Sequence, residues 1–304
     1  MDTALVFNKM LVMLIMLCVG VLAAKTGVVD AEGNRRLSRF AMAVPQTATI
    51  LASAVNTQME ITVGKVVGIL GAGCVMYALL VVLGLLVPRL GRVRAEDRGV
   101  YSFLTVFGNV GFMGFPLVGA IFGQDAVFYA VLLCVPFNLL VFTLGVRLIS
   151  GRGGSFRWKD LISPALAASA AAVVIIFLPV EWPAPLKEAL GYMGDMILPL
   201  SMVIIGASLG EQKLRDVFLD WRAYLFSPVR LVVSPVLVWA VMRLFIRDVM
   251  LLNVMTVAAA MPAAAVAAMM SIQYGANERL ASRVVSITTV LSVGTIPFVC
   301  WLLL

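Results

Sequence analysis

Histidine is absent from this chain of 304 residues, and charged residues make up only 13% of it. The chain therefore lacks the side chain that most often exchanges protons near neutral pH and most often binds metals. An ordinary soluble domain has about a quarter of its residues charged, so the low charge excludes that class. We expect no metal site and no cofactor, and we do not expect an enzyme.

Cysteine is scarce as well. The four cysteines, Cys18, Cys74, Cys134 and Cys300, each lie in a different apolar segment. Their spacing matches no metal-binding motif and no disulfide framework. We expect them to be packing residues.

What the chain has in abundance is apolar side chains. Hydrophobic residues make up 62% of the sequence, and the mean hydropathy is +1.04. This composition is typical of an all-α integral membrane protein whose helices cross the lipid bilayer repeatedly. We predict ten spans, numbered in chain order, at residues 6–24, 37–56, 64–87, 101–122, 126–149, 161–178, 188–209, 223–246, 250–273 and 281–303.

Basic residues lie mainly in the short loops between these spans. Counted together with the span ends beside them, the loops that follow odd-numbered spans carry 17 Lys and Arg residues, whereas the N-terminal segment and the other loops carry 5. The positive-inside rule places the richer side in the cytoplasm. We therefore predict a multi-pass protein of the cell (inner or plasma) membrane with both termini on the non-cytoplasmic side. The pI of about 9.5 reflects this topology rather than a nucleic-acid partner.

Span 4 contains a stretch that is unsuited to a continuous helix, residues 108–116 with the sequence GNVGFMGFP. Each glycine costs about 1 kcal/mol in a helix interior and a proline about 3 kcal/mol. In span 9, Pro262 interrupts an alanine-rich segment. Broken backbone at membrane depth is tolerated where protein buries it or where it lines a wet cavity. The stretch is either a glycine-rich packing face with a proline kink or an interrupted helix that forms a substrate site.

An internal repeat favours the second interpretation. Residues 45–55 and 199–209 share a proline followed by aliphatic and then small residues, at an offset of 154. The same offset carries Gly108 onto Pro262. Chance similarity between two apolar helices is the alternative. Because each copy holds five spans, the copies would be inverted. We predict two inverted five-helix repeats, 1–150 and 151–304, with broken helices 4 and 9 crossing at the binding site.

Two broken helices that cross would point the N-termini of their second halves at one spot, where free N–H groups favour an anion. The predicted substrate-binding residues are Gly108, Asn109, Val110, Asn138, Pro262 and Ala263. The amide of Asn109 can donate and accept hydrogen bonds, although it could instead only cap freed backbone. Asn138 and its repeat counterpart Ser292 either line the cavity or bridge helices.

Two charged residues, Asp195 and Arg230, lie about two turns inside their predicted spans. Asp195 is either a proton-coupling carboxylate or a solvated residue at the outer interface. Arg230 either pairs with a substrate anion or, as we expect, snorkels to lipid phosphate. Among smaller motifs, Gly64 and Gly68 form a G-x-x-x-G pattern that predicts close helix packing.

The span 4 motif, followed by IFG at residues 121–123, resembles the fourth-helix signature of the auxin efflux carrier family. This family includes plant PIN-type auxin carriers and bacterial malate and malonate permeases. Pro262, with Gln273 and Tyr274 at the end of its span, is similar to the family's ninth helix. The resemblance covers essentially the whole chain.

The resemblance implies a sodium-proton-antiporter-like fold. Its scaffold, at about 6–56 and 161–209, would form a homodimer, and its transport domain, at about 64–149 and 223–303, would move as an elevator. In PIN-type carriers the asparagine that matches Asn109 lies beside the substrate carboxylate. Those carriers have proline where this chain has Gly108 and glutamine where it has Ala263. These departures argue against auxin itself and favour a small aliphatic carboxylate.

We therefore expect a secondary active transporter, or permease, for a small organic anion such as malate, malonate or an auxin-like acid. One alternative is a sodium-coupled symporter of the bile-acid-transporter type, although the crossover is poor in the carboxylates that would bind sodium. The other is an intramembrane enzyme. The lack of histidine and of a clustered acid pair argues against it.

Overall fold

The structure is a computed structural model that describes residues 3–57, 61–151, 164–178 and 180–304. Within these residues the regular elements are helices, and the β-structure is one isolated bridge between Gly108 and Ala263. The expected helical membrane protein is confirmed, since six described helices are long and apolar enough to cross a membrane. They are Ala4–Lys25, Val63–Leu90, Gln124–Ser150, Ala184–Gly210, Trp221–Met242 and Glu278–Leu303.

The other predicted spans consist of shorter helices. Span 2 is divided in two because Pro45 has no N–H with which to continue the first helix. Spans 4 and 9 are divided at the predicted breaks, and the start of span 6, residues 161–163, lies outside the described residues. The pieces are Ala31–Ala43 and Pro45–Val55, then Arg98–Val106, the π-helical Val110–Gly114 and Phe115–Phe122, then Pro164–Ile175, and then Val249–Ala260 and Val266–Gln273.

Three of the long helices are not regular α-helices over their whole length. Spans 5 and 8 each contain a π-helical turn, and span 7 is interrupted at Met196. The pieces are Gln124–Leu140, Val141–Gly145 and Val146–Ser150 in span 5, Ala184–Asp195 and Ile197–Gly210 in span 7, and Trp221–Pro228, Val229–Val233 and Ser234–Met242 in span 8. A short helix, Leu214–Phe218, precedes span 8.

Polar side chains begin several of these helices. Asp30, Thr62, Asp248 and Asn277 each accept a hydrogen bond from the backbone N–H three residues further along the chain. Each bond satisfies an N–H group that the first helical turn leaves free, and a cap of this kind stabilises a helix by about 1 kcal/mol. These residues thus mark where loops end and helices start.

Span 1 packs closely against the second half of span 7. A Cβ on Gly20 would collide with the backbone of Val203, and a Cβ on Gly206 would collide with the carbonyl oxygen of Leu17. Small residues let membrane helices approach each other in this way.

The G-x-x-x-G prediction is wrong for contacts among the described residues of this chain. A Cβ on Gly68 would meet nothing within 4 Å, and one on Gly64 would meet only Thr62, at 4.0 Å. The physical reason is that both glycines lie on an exposed face of span 3, whereas the close approach needs a neighbouring backbone.

We expect Gly206→Val to lower the stability of the folded protein by at least about 2 kcal/mol, because the added side chain would force the backbones of spans 1 and 7 apart. The measurement is the midpoint of thermal unfolding in detergent. Gly68→Val makes the same change on an exposed helix face and should leave the midpoint nearly unchanged. Equal midpoints for the two variants would contradict the close packing.

Candidate binding site

The broken segments of spans 4 and 9 cross and hydrogen-bond to each other. The N–H of Asn109 donates to the carbonyl of Pro262 at 2.8 Å, and the N–H of Ala264 donates to the carbonyl of Phe107 at 3.0 Å. These two bonds flank the isolated β-bridge. Each break therefore supplies hydrogen-bond partners that the other one lost, as backbone at membrane depth requires.

Neighbouring spans satisfy further groups of this crossover. Thr288 of span 10 accepts a hydrogen bond from the N–H of Ala263 at 3.2 Å. Arg230 of span 8 donates through Nε to the carbonyl of Met261 at 3.0 Å and through Nη1 to the carbonyl of Thr105 at 2.9 Å. The crossover is therefore assembled from four spans.

Arg230 does not snorkel to the membrane surface. It is only 1% exposed and is the largest of the fully buried side chains in the described part of the chain. The expectation of snorkelling is wrong because Arg230 lies in the π-helical turn Val229–Val233, from which its side chain reaches two backbone carbonyls inside the protein. Those carbonyls replace the hydrogen bonds that it would have made to water or lipid.

Gly108 leaves room for this guanidinium group. A Cβ at residue 108 would collide with Nη2 of Arg230 and would lie 3.3 Å from Cβ of Met261. The first glycine of the motif is therefore explained by the close approach of a side chain from another span.

The backbone and the side chain of Asn109 have separate roles. Its carbonyl accepts hydrogen bonds from the N–H groups of Met113 and Gly114 at 3.2 and 3.1 Å. Its side chain makes no capping hydrogen bond, although Asn109 is only 6% exposed. Among the residues that the structure describes, the Nδ2 group has no hydrogen-bond partner. Since an unpaired buried donor costs about 1–3 kcal/mol, this amide is available for a ligand.

A cavity of about 600 Å³ adjoins the crossover. It extends from Gly108 and Asn109 toward the helix ends next to the loops that are rich in Lys and Arg. Pockets of this size commonly hold a small organic molecule. The polar residues that line it are Ser38, Arg39, Gln46, Asn109, Asn138, Ser208, Gln273, Tyr274, Ser282 and Ser286.

The charge of the lining favours an anion over a cation. Arg39 is the one cationic residue among the described residues that line the cavity, and none of these residues is acidic. The side-chain amide of Gln46 lies against Gly111, in the first turn of the second half of span 4. The cavity therefore offers amide donors and a positive charge, with no carboxylate to repel an anion.

Comparison with known proteins identifies the family. The model of the membrane transport protein family matches residues 5–158 and 153–300. The chain belongs to this family, that of the auxin efflux carriers. The resemblance seen in the span 4 motif is thus confirmed, and the family is one of transporters.

Relatives of this transporter come from archaea and bacteria. An uncharacterized transporter of Methanocaldococcus jannaschii is 25% identical over 98% of this chain and 98% of its own length. An uncharacterized transporter of Methanothermobacter thermautotrophicus is 30% identical over 68% of this chain and 69% of its own. A protein of Rhizobium meliloti named "Putative malonate transporter" is 26% identical over 77% of this chain and 75% of its own. The protein is therefore a multi-pass membrane transporter with a small-molecule substrate.

Three residues of the predicted site, Gly108, Asn109 and Asn138, line the cavity of this transporter. The structure thus brings together residues from spans 4 and 5. Of the two roles considered for Asn138, the structure shows the first, since Asn138 lines the cavity. Its repeat counterpart Ser292 is fully buried and donates to the carbonyl of Thr289 in its own helix at 2.7 Å.

Val110, Pro262 and Ala263 do not line the cavity. They are buried inside the crossover, where the pairing of the two breaks holds them. The next residues of span 9, 264–266, line the cavity in their place. These residues begin the second half of span 9. The residues of span 9 that line the cavity therefore start two positions after Pro262, which the sequence had predicted.

Sequence reasoning missed Arg39 and Gln46 of span 2. Gln46 directly follows Pro45, the first residue of the repeated pattern, so a polar residue at a helix break was the available signal. Asp195 is exposed at the end of its helix and does not line the cavity. Its role in proton coupling stays a prediction.

Proposed function

We propose that the chain is a secondary active transporter that binds a small organic anion, a carboxylate such as malonate or malate, in the crossover cavity. The observation that carries this proposal is the buried Nδ2 group of Asn109, which has no partner in the described part of the chain and belongs to a residue of the cavity wall. A carboxylate oxygen would accept its hydrogen bond, and hydrogen bonds to charged acceptors are the stronger kind.

The helix ends beside Asn109 add to the attraction for an anion. The helix Val110–Phe122 begins directly after Asn109 of the cavity wall, and Val266, the first residue of the helix Val266–Gln273, lines the cavity itself. Their first N–H groups have no acceptor within the helix, and each N-terminus carries roughly half a positive charge. A carboxylate could therefore bind without direct contact to a lysine or arginine.

A short aliphatic dicarboxylate is the substrate class that we propose. The name of the Rhizobium meliloti relative refers to malonate. In this chain, Asn109 and Gln46 line the cavity from two different spans, and Arg39 adds a charge. Two carboxylates on one small molecule would match donors that come from different spans.

The proposed mechanism is of elevator type, within two inverted five-helix repeats. The scaffold, at about 6–56 and 161–209, would form the homodimer, and the transport domain would comprise about 64–149 and 223–303. Two observations support this division. Spans 1 and 7 pack closely through Gly20 and Gly206, and the cavity is lined both by spans 2, 6 and 7 of the proposed scaffold and by spans 4, 5, 9 and 10 of the proposed transport domain. Movement would break the hydrogen bond from Ser201 to the carbonyl of Phe112, at 2.8 Å.

The proposed orientation places both termini outside the cytoplasm. The 17 Lys and Arg residues on one side and 5 on the other support it. In that orientation the cavity extends toward the cytoplasm, so this conformation would be the inward-facing one.

The test is uptake of malonate, malate, oxalate and indole-3-acetate by purified protein in liposomes, with protein-free liposomes as the control. We expect uptake of at least one aliphatic dicarboxylate and no requirement for sodium. Strict dependence on sodium would favour the bile-acid-transporter type of symport. Failure to bind or transport any of the acids would overturn the anion proposal, and conversion of an acid to a product in detergent would indicate an enzyme.

A further inference from the structure

We infer that Arg230 is the residue that gives the crossover its preference for anions, and that Gly108 is a glycine because the guanidinium occupies its side-chain position. This inference rests on the proposed function, which it deepens by naming the source of charge selectivity. Arg230 would act as a specificity-determining residue from behind the cavity wall, since it is not among the residues that line the cavity.

The partners of Arg230 are neutral groups. Its described hydrogen bonds go to the carbonyls of Thr105 and Met261, and none of the described ion pairs includes it. An ion pair with a carboxylate would cancel the charge of the guanidinium, whereas hydrogen bonds to carbonyls leave it in place. At 1% exposure, this charge is also screened very little by water and salt.

The two carbonyls both lie near the C-terminal end of the first half of a broken span. Thr105 belongs to the last turn of Arg98–Val106, and Met261 directly follows Val249–Ala260. Each helix C-terminus carries roughly half a negative charge, and a cation at that position is favourable. One arginine therefore neutralises both C-termini. The N-termini of the second halves keep their partial positive charges toward the cavity, and the whole crossover retains about one positive charge.

The position of Gly108 brings this charge close to the ligand. Gly108 lines the cavity, and the Nη2 group of Arg230 occupies the space where its Cβ would be. Gly108 itself therefore places no side chain between the guanidinium and the cavity. Arg39, the cation of the lining itself, is exposed, so water and salt weaken its field.

A charge-selective role and a purely structural role predict different results for two ligands of the same size. Malonate carries two negative charges near neutral pH, and its half-amide, malonamate, carries one. Loss of a buried positive charge weakens the binding of the dianion more than that of the monoanion. A distorted crossover would weaken both in the same proportion, so the ratio of the two affinities isolates the charge.

The experiment measures this ratio for the wild type, Arg230→Gln, Arg230→Lys and Arg243→Gln. Arg243 is an exposed arginine of the same span whose guanidinium lies 4.4 Å from the centre of the Trp239 ring, so its variant is the matched control. We expect the preference for malonate to fall about tenfold in Arg230→Gln. It should be largely retained in Arg230→Lys and unchanged in Arg243→Gln.

An unchanged preference in folded Arg230→Gln would overturn the inference. If Arg230→Gln does not fold, Arg230→Lys is the deciding variant, because it keeps the positive charge. Loss of the preference for malonate in Arg230→Lys would refute the inference, and retention of the preference would support it. A wild type that binds neither ligand would instead count against the proposed function, so the two failures are distinguishable.

Discussion

Asn109→Ala should lower the affinity of the transporter for its carboxylate substrate by roughly 10- to 100-fold. The substitution removes the donor that is buried and unpaired in the free protein. A hydrogen bond to a charged group contributes about 1.5–3 kcal/mol, which corresponds to that range of affinity. The side chain of Asn109 makes no capping hydrogen bond, and the hydrogen bonds that hold residue 109 in the crossover are made by its backbone. The crossover should therefore remain folded in the variant.

The measurement is the dissociation constant of the best acid from the uptake panel, together with the thermal unfolding midpoint. Asn253→Ala is the matched control, since Asn253 is a partly buried asparagine in span 9 that does not line the cavity. The Asn253→Ala variant should bind the acid with the same affinity as the wild type. If Asn109→Ala binds the acid as tightly as the wild type, Asn109 has a structural role and the binding site lies elsewhere.

The loss of stability caused by Gly108→Ala should depend strongly on the side chain at residue 230. In the wild-type background the new Cβ must displace Nη2 of Arg230, and the guanidinium cannot move without straining its bonds to Thr105 and Met261. In an Arg230→Met background the new Cβ would meet a flexible, neutral side chain, which can move without breaking a hydrogen bond. We therefore expect Gly108→Ala to destabilise the wild type by about 1–3 kcal/mol more than it destabilises the Arg230→Met variant.

A double-mutant cycle of thermal and denaturant unfolding in detergent measures this coupling. Gly71→Ala replaces Gly108→Ala in the control cycle, because an added Cβ at Gly71 meets nothing within 4 Å. That cycle should be additive within about 0.5 kcal/mol. Additivity in the Gly108 cycle as well would mean that the guanidinium does not occupy the position assigned to it.

The sequence alone predicted the features that depend on local composition. Long apolar segments identified a helical membrane protein, because only helices and closed barrels satisfy their backbone in lipid. The glycines of residues 108–116 and Pro262 identified the breaks, because their effect on a helix is intrinsic to the residue. The span 4 motif identified the family, and Asn109 and Asn138, which the sequence predicted as substrate-binding residues, line the cavity.

Only the tertiary structure decided which groups meet. Arg230 lies 125 residues from Thr105 in the sequence, so no local pattern could show that it bonds to both broken helices rather than to lipid. The unpaired state of the Asn109 amide likewise depends on the absence of neighbours, and the close packing of Gly20 and Gly206 depends on a facing backbone. Propensity belongs to a residue, whereas burial, hydrogen-bond partners and electrostatic environment belong to the residues that folding brings around it.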